Sequence, residues 1–176
     1  MRPDLLAPPV AAALAGASAG PQDEAAWPAD LVGVAEIDPA VADTAAFCER
    51  YGVAMTESAN CVVVSGRRDS AVKMAACMVL ATTRADVNGL VRRQLDVRKA
   101  SFAPMDTAVS LTGMEYGGIT PIGLPADWPI FVDDAVAGQP WVVIGSGIRR
   151  SKLILPGPAV ASLPGAVVLV GLGRPA

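Results

Sequence analysis

Residues 60–81, NCVVVSGRRDSAVKMAACMVLA, decide the fold class. Residues 60–66 form a short apolar run rich in β-branched valine, and residues 72–81 form a second one. Between them Arg67-Arg68-Asp69-Ser70 is a polar turn signal. Two apolar runs of strand length joined by a few polar residues predict a buried β-hairpin. Downstream of it, Asp86 is placed to cap a helix with Val87, Leu90, Val91 and Leu95 on its apolar face, and Pro104 opens another helix that Gly113 ends. Short strands then recur at 129–133, 141–145, 151–155 and 166–170, divided by Gly and Pro. Upstream, residues 31–37 (LVGVAEI) read as a strand. Asp38-Pro39 as cap and first turn, with Gly52 as terminator, predict a helix over 39–51.

This alternation is too irregular for a doubly wound sheet. Many short strands with a few helices predict an α/β (α+β) fold: a mixed, partly closed barrel-like sheet flanked by helices. Residues 1–30 are expected to be an N-terminal helix or arm followed by a linker at 18–30, and 31–176 to be the domain proper. The apolar stretch at 5–19 is a poor leader peptide, because Asp4 follows the only early Arg and Pro8-Pro9 interrupt it.

At 176 residues and 52% hydrophobic content the chain has enough apolar surface for one core, which only 5% aromatics leaves to Ala, Val, Leu and Ile. No apolar stretch reaches the ~18 residues of a membrane span, so no membrane partner is expected. The three cysteines, Cys48, Cys61 and Cys77, form no CxxC pair; they read as reduced core thiols in a cytoplasmic protein, with no metal and no cofactor. There is no histidine, which excludes Ser-His-Asp and Cys-His catalysis and imidazole metal sites. Charge is uneven: residues 1–60 hold 9 acids and 2 bases, residues 61–176 hold 8 acids and 12 bases. The bases cluster as Arg67-Arg68, Arg92-Arg93, Arg98-Lys99 and Arg149-Arg150 with Lys152. Singly each pair reads as a solvated face; together they also read as a surface for phosphate, with the acidic first 60 residues turned away from it.

Two glycine loops lie in the same half. The first is Gly117-Gly118-Ile119-Thr120-Pro121-Ile122-Gly123, whose glycines allow a ligand to approach bare amides; an ordinary tight turn accounts for it equally well on composition. The second, Gly145-Ser146-Gly147, follows the apolar run Trp141–Ile144. Arg150 stands where a dinucleotide fingerprint needs its third glycine, and strand-like residues follow, so a Rossmann reading fails. No Walker A sequence is present. Asp133-Asp134 reads as a strand-end turn, not a metal pair.

From Asn60 to about Leu172 the chain resembles the YbaK/EbsC (YbaK/ProX) aminoacyl-tRNA deacylase family, which includes the editing domain of bacterial prolyl-tRNA synthetases. The elements that carry the likeness are NCVVVSG, VRKASFA, the loop of pattern GG-(I/V)-(S/T)-P-(I/L/V)-G, WPIFVD, and VVIGSGIRRSKLIL. The resemblance implies a trans-acting hydrolase that cleaves the ester of a mischarged aminoacyl-tRNA held by its CCA end, with an aminoacyl-tRNA synthetase as a further partner. Both glycine loops would surround the aminoacyl group and terminal ribose, and a ribose hydroxyl would help activate water.

The family's lysine in a K-(T/S)-L-type motif is replaced here by Asn60, and its acidic residue after the GSG loop by Lys152. We read this as a cation moved across one pocket, preserving an amide–ammonium pair. The implied catalytic set is Lys152, Asn60, Gly117, Gly118 and Thr120. Pro121, Gly123, Gly145, Ser146 and Gly147 would bind substrate, and Arg98, Lys99, Arg149 and Arg150 would contact tRNA phosphates. Two alternatives stay open: a non-catalytic module of the same fold that grips a tRNA end or another nucleotide-like ligand, which the Asn60 exchange favours, and an esterase independent of RNA.

Overall fold

The computed structural model describes residues 2–19 and 27–175, so the middle of the expected linker lies outside the described residues. Along the chain run α1 (Pro8–Ala19), β1 (Gly33–Glu36), α2 (Thr44–Tyr51), β2 (Ala59–Arg68), β3 (Ala71–Leu80), β4 (Thr83–Ala85), α3 (Arg92–Gln94), β5 (Lys99–Phe102) and α4 (Met105–Thr112). Then come β6 (Ile130–Asp133), α5 (Asp134–Ala137), β7 (Val142–Gly145), β8 (Ser151–Leu155), α6 (Gly157–Ala161), β9 (Ala166–Leu169) and β10 (Gly173–Pro175).

The hairpin is present, from Ala59↔Leu80 to Arg68↔Ala71. Arg67 and Arg68, expected in the turn, extend the strand, and the reversal falls on Asp69-Ser70 with Asp69 at φ 55°, a left-handed conformation that Asp tolerates. Around this hairpin a five-stranded sheet forms in the order β5-β2-β3-β6-β9, antiparallel at β5-β2-β3 and parallel at β3-β6-β9. A three-stranded antiparallel sheet, β1-β8-β7, faces it, and a small β10-β4 pair lies apart. Besides the core they share, a parallel bridge, Ser58↔Val143, links the edges of the two larger sheets among the described residues. The barrel is therefore partly closed.

Residues 75–80 of β3 are buried without a break because both faces of that strand are covered. Met78 and Leu80 face a core shared with the three-stranded sheet, with Ile144, Leu153 and Leu155, and with Val10 and Leu14 of α1. Ala75, Cys77 and Val79 face a second core built with Val87, Val91 and Leu95.

The predicted helix over 39–51 is split. Asp38 caps only a short 3-10 turn, Pro39–Val41, through the Ala40 amide, and α2 begins at Thr44 after an extended Asp43 (ψ 138°). The break turns the Ala42 carbonyl toward Lys152 (below). The element after Asp86 starts as a π-helical turn, Val87–Val91, whose Gly89 and Leu90 amides donate to the Asp86 carboxylate at 3.1 Å each. Pro104 and Gly113 bound α4 as expected, Gly113 at φ 65°.

Candidate functional site

Strand β5 pairs with β2 only over Val64–Arg67, and the Ala103 amide closes the register on the Val63 carbonyl. The first half of β2 therefore has one edge without a neighbouring strand. A cavity of about 520 Å³ opens along that edge. Its floor is Cys61, Val62 and Val63; β7 and β8 contribute Ile144, Gly145 and Lys152; Thr44 and Asp43 at the start of α2 form one wall, and Gly117 and Ile119 of the first glycine loop another.

Lys152 and Asn60 thus line one cavity from strands far apart in sequence. They do not bond one another. Asn60 Oδ1 accepts from Thr44 Oγ1 at 2.8 Å, which leaves the Asn60 Nδ2 donor without a partner among the described residues. Lys152 is 8% exposed and donates to the Ala42 carbonyl at 2.9 Å, with its Nζ 5.2 Å from the centre of the Phe47 ring. Both contacts stabilise a buried ammonium. Burial and the nearby Arg149 guanidinium still hold its pKa below the ordinary 10.5, against opposing pulls from Cys48 and Asp43.

The two glycine loops pack on each other, and this needs glycine. A Cβ on Gly118 would lie 2.8 Å from the Ile148 carbonyl carbon, and one on Gly145 would overlap the Gly118 carbonyl oxygen. The Gly147 amide donates to that same oxygen at 2.7 Å. Gly117 and Gly145 reach the cavity; Gly118, Ser146 and Gly147 are buried behind it. Ser146 Oγ is 2.7 Å from Ser151 Oγ and within reach of the Ser151 and Ile148 carbonyls, so its hydroxyl holds the loop together. Thr120 is fully buried, and its Oγ1 has no hydrogen-bond partner among the described residues. Pro121 and Gly123 border a different depression, beside Ala13, Ala17 and Trp128.

The four expected phosphate cations are dispersed. Arg149 sits at the cavity rim over Gly117, bonded to Asp43 at 3.1 Å and to the Pro39 carbonyl at 3.3 Å. Arg150 turns away to the Asp4 carbonyl and carboxylate. Arg98 and Lys99 border a separate groove. Asp43, one of the acidic residues of the first 60, stands at the cavity, where it holds Arg149.

The sequence profile described as aminoacyl-tRNA editing domain matches residues 38–163. The chain belongs to this aminoacyl-tRNA editing domain family. The matched span runs from the Asp38 cap through α6 and includes every cavity residue named above. Solved structures share the fold of this editing domain. A proposed trans-editing enzyme for prolyl tRNA synthetase aligns at a TM-score of 0.76 and 20% identity over 99% of each chain. The hypothetical protein APE2540 aligns at 0.72 and 20% identity over 81% of this chain and 91% of its own. A structure from computational epitope backbone grafting on scaffold proteins aligns at 0.77 and 20% identity over 96% of this chain and 97% of its own. No curated protein matches the chain.

Several residues line the editing-domain cavity without a sequence motif that assigns them to it. Cys61, expected in the core, packs against it and also forms part of the cavity floor, where burial pushes its thiol pKa up and keeps it protonated. The predicted helix over 39–51 makes Thr44 an interior position, and the break at Asp43 places it against Asn60. Tyr116 lies in no motif, and Phe102 lies within the VRKASFA element without a role; their signal is exposure, which a sequence does not print. Among the described residues no group of three or more His, Cys, Asp or Glu is arranged to hold a metal, and no helix is long and apolar enough to cross a membrane.

Proposed function

We propose that this editing domain is a trans-acting deacylase that hydrolyses the ester of a mischarged aminoacyl-tRNA, with the CCA end at the cavity and a synthetase as the source of the mischarged product. The observation that carries the reading is the convergence of Lys152, Asn60, Gly117 and Gly145 on one cavity of about 520 Å³ with a largely aliphatic floor. In the reaction water attacks the ester carbonyl, the acyl–oxygen bond breaks, and the ribose oxygen takes up the proton. Oxyanion charge develops on the carbonyl oxygen, and fixed donors that meet it lower the barrier. The Lys152 ammonium and the unpartnered Asn60 Nδ2 are such donors. A ribose hydroxyl of the substrate assists the water, which suits a chain without histidine.

The test is release of labelled amino acid from a panel of mischarged tRNAs by wild type and Lys152→Ala, with a 2′-deoxy-terminated tRNA as a third arm. Loss of one oxyanion donor typically costs ~10²–10³ in rate, and that is the expected deficit of Lys152→Ala. Equal rates would remove Lys152 from the mechanism. A folded wild type that binds tRNA and releases nothing from any member of the panel would establish a binding module instead.

A further inference from the structure

We propose that the surface leading from the cavity mouth along β5 into the neighbouring groove is a track for a short single-stranded RNA 3′ segment, the terminal base stacked on Phe102 and Tyr116 and the preceding phosphates held by Arg67, Arg92 and Lys99. The proposal rests on reading the cavity as the seat of the aminoacyl ester.

Two independent observations carry it. The first is the rim of the cavity. Phe102 and Tyr116, 57% and 62% exposed, both border its mouth, beside Met105 at 52%. Exposed rings at the entrance of a pocket offer faces to any base, since every base has a π-face to stack.

The second is the groove, of about 650 Å³, whose cations are Arg67, Arg92, Arg98 and Lys99, with Ser65 and Ser101 beside them. Register places Arg67 directly opposite Lys99, and Ser65 directly opposite Ser101. Like charges opposed across a ladder destabilise a sheet. Yet Arg67, Arg92 and Lys99 make no ion pair among the described residues, whereas Arg68 pairs with Asp96, and Arg98 with Asp69 at 3.2 Å. Of the four groove cations only Arg98 is matched by a carboxylate, which leaves Arg67, Arg92 and Lys99 without one among the described residues. A bound anion would relieve that repulsion, with two hydroxyls as further donors.

The two features are joined by one strand. From Lys99 to Phe102 is three residues, ~10 Å at the strand rise, a distance that a few nucleotides of single strand follow. A duplex, its bases hidden in the stack, has nothing to offer the aromatic rim.

The experiment measures binding of the full chain to a fluorescent single-stranded RNA ending in CCA, across a salt series, with a blunt RNA duplex and inorganic polyphosphate as competitors. Arg67→Ala/Arg92→Ala should weaken binding at least tenfold at low salt and flatten the log–log salt slope by about 1.4, the value for two single-strand phosphate contacts. Phe102→Ala should weaken binding roughly tenfold with the slope unchanged. Thermal melting of both variants checks that they fold; relief of the Arg67–Lys99 repulsion should keep the melting temperature of the double variant at or above wild type. Unchanged affinity in either variant overturns the track, as does displacement of the RNA by polyphosphate or duplex at equal concentration. Because the probe carries no amino acid, loss of this pattern overturns the track whatever the chain does to esters. Retention of the pattern in a protein that hydrolyses no aminoacyl-tRNA overturns only the proposed activity.

Discussion

Lys152 is a buried charge kept in place by a carbonyl and a ring, and its depressed pKa has two consequences of opposite sign. The ammonium is the form that stabilises an oxyanion, so turnover should fall as pH rises through the lowered pKa, at some point below 10.5. Stability should move the other way. Between the folded and unfolded pKa values the unfolded chain binds more protons, so the unfolding free energy rises with pH in that window. Denaturant titrations from neutral pH toward 10.5 should show wild type gaining stability relative to Lys152→Met, which has no group to titrate there. A constant difference between the two proteins would mean that Lys152 titrates normally. Asn60 is fixed differently: the Thr44 hydroxyl occupies its carbonyl, and the amide nitrogen is the end left for a ligand.

At the scale of elements, two starts of helical segments show how local capping and tertiary demand compete. Asp86 satisfies two amides of its π-turn and also pairs with Arg174 of β10 at 3.0 Å. Burial raises its pKa, but the Arg174 bond and the Leu90 and Gly89 amides outweigh that and hold it below 3.8. Its contribution is therefore full above 3.8 and lost as pH falls through the depressed value. Asp86→Ala should cost about 1 kcal/mol near neutral pH, as loss of a cap does, and the deficit should shrink in acid; a variant as stable as wild type at pH 7 would show that the cap contributes nothing. The split before α2 is the contrary case. A continuous helix would commit the Ala42 carbonyl to its own ladder, whereas the break gives it to Lys152 and brings Asp43 to Arg149.

At the scale of the molecule, α1 is part of the core that backs the cavity. Val10 and Leu14 are fully buried against the same cluster as Ile144 and Leu153, which belong to the strands that present Gly145 and Lys152. Gly147 is pressed against Ala7, and the Ala7 amide donates to the Ser146 carbonyl at 3.3 Å, so the segment leading into α1 also braces the second glycine loop. Leu14→Ala should destabilise by ~2–5 kcal/mol, the range for emptying a well-packed leucine site, measured by urea or thermal unfolding. A loss under ~1 kcal/mol would mean that α1 detaches without cost to the core.

By itself the sequence determined the hairpin and the helix starts at Asp86 and Pro104, because these follow from local periodicity and cap chemistry, while the association of the GGITPIG loop with the GSG loop was legible only through the family resemblance. Only the tertiary structure decided which of those residues meet a ligand. Gly118, Ser146, Gly147 and Thr120 lie behind the cavity because two loops approaching within backbone contact of each other must bury part of themselves. Asn60 and Lys152 share a cavity because β2 outruns β5 and leaves an edge to which β7 and β8 come close. Register also decided that Arg67 and Lys99 lie side by side without a carboxylate between them. Periodicity assigns a side chain to a face; which distant side chain stands opposite depends on how the sheets pack.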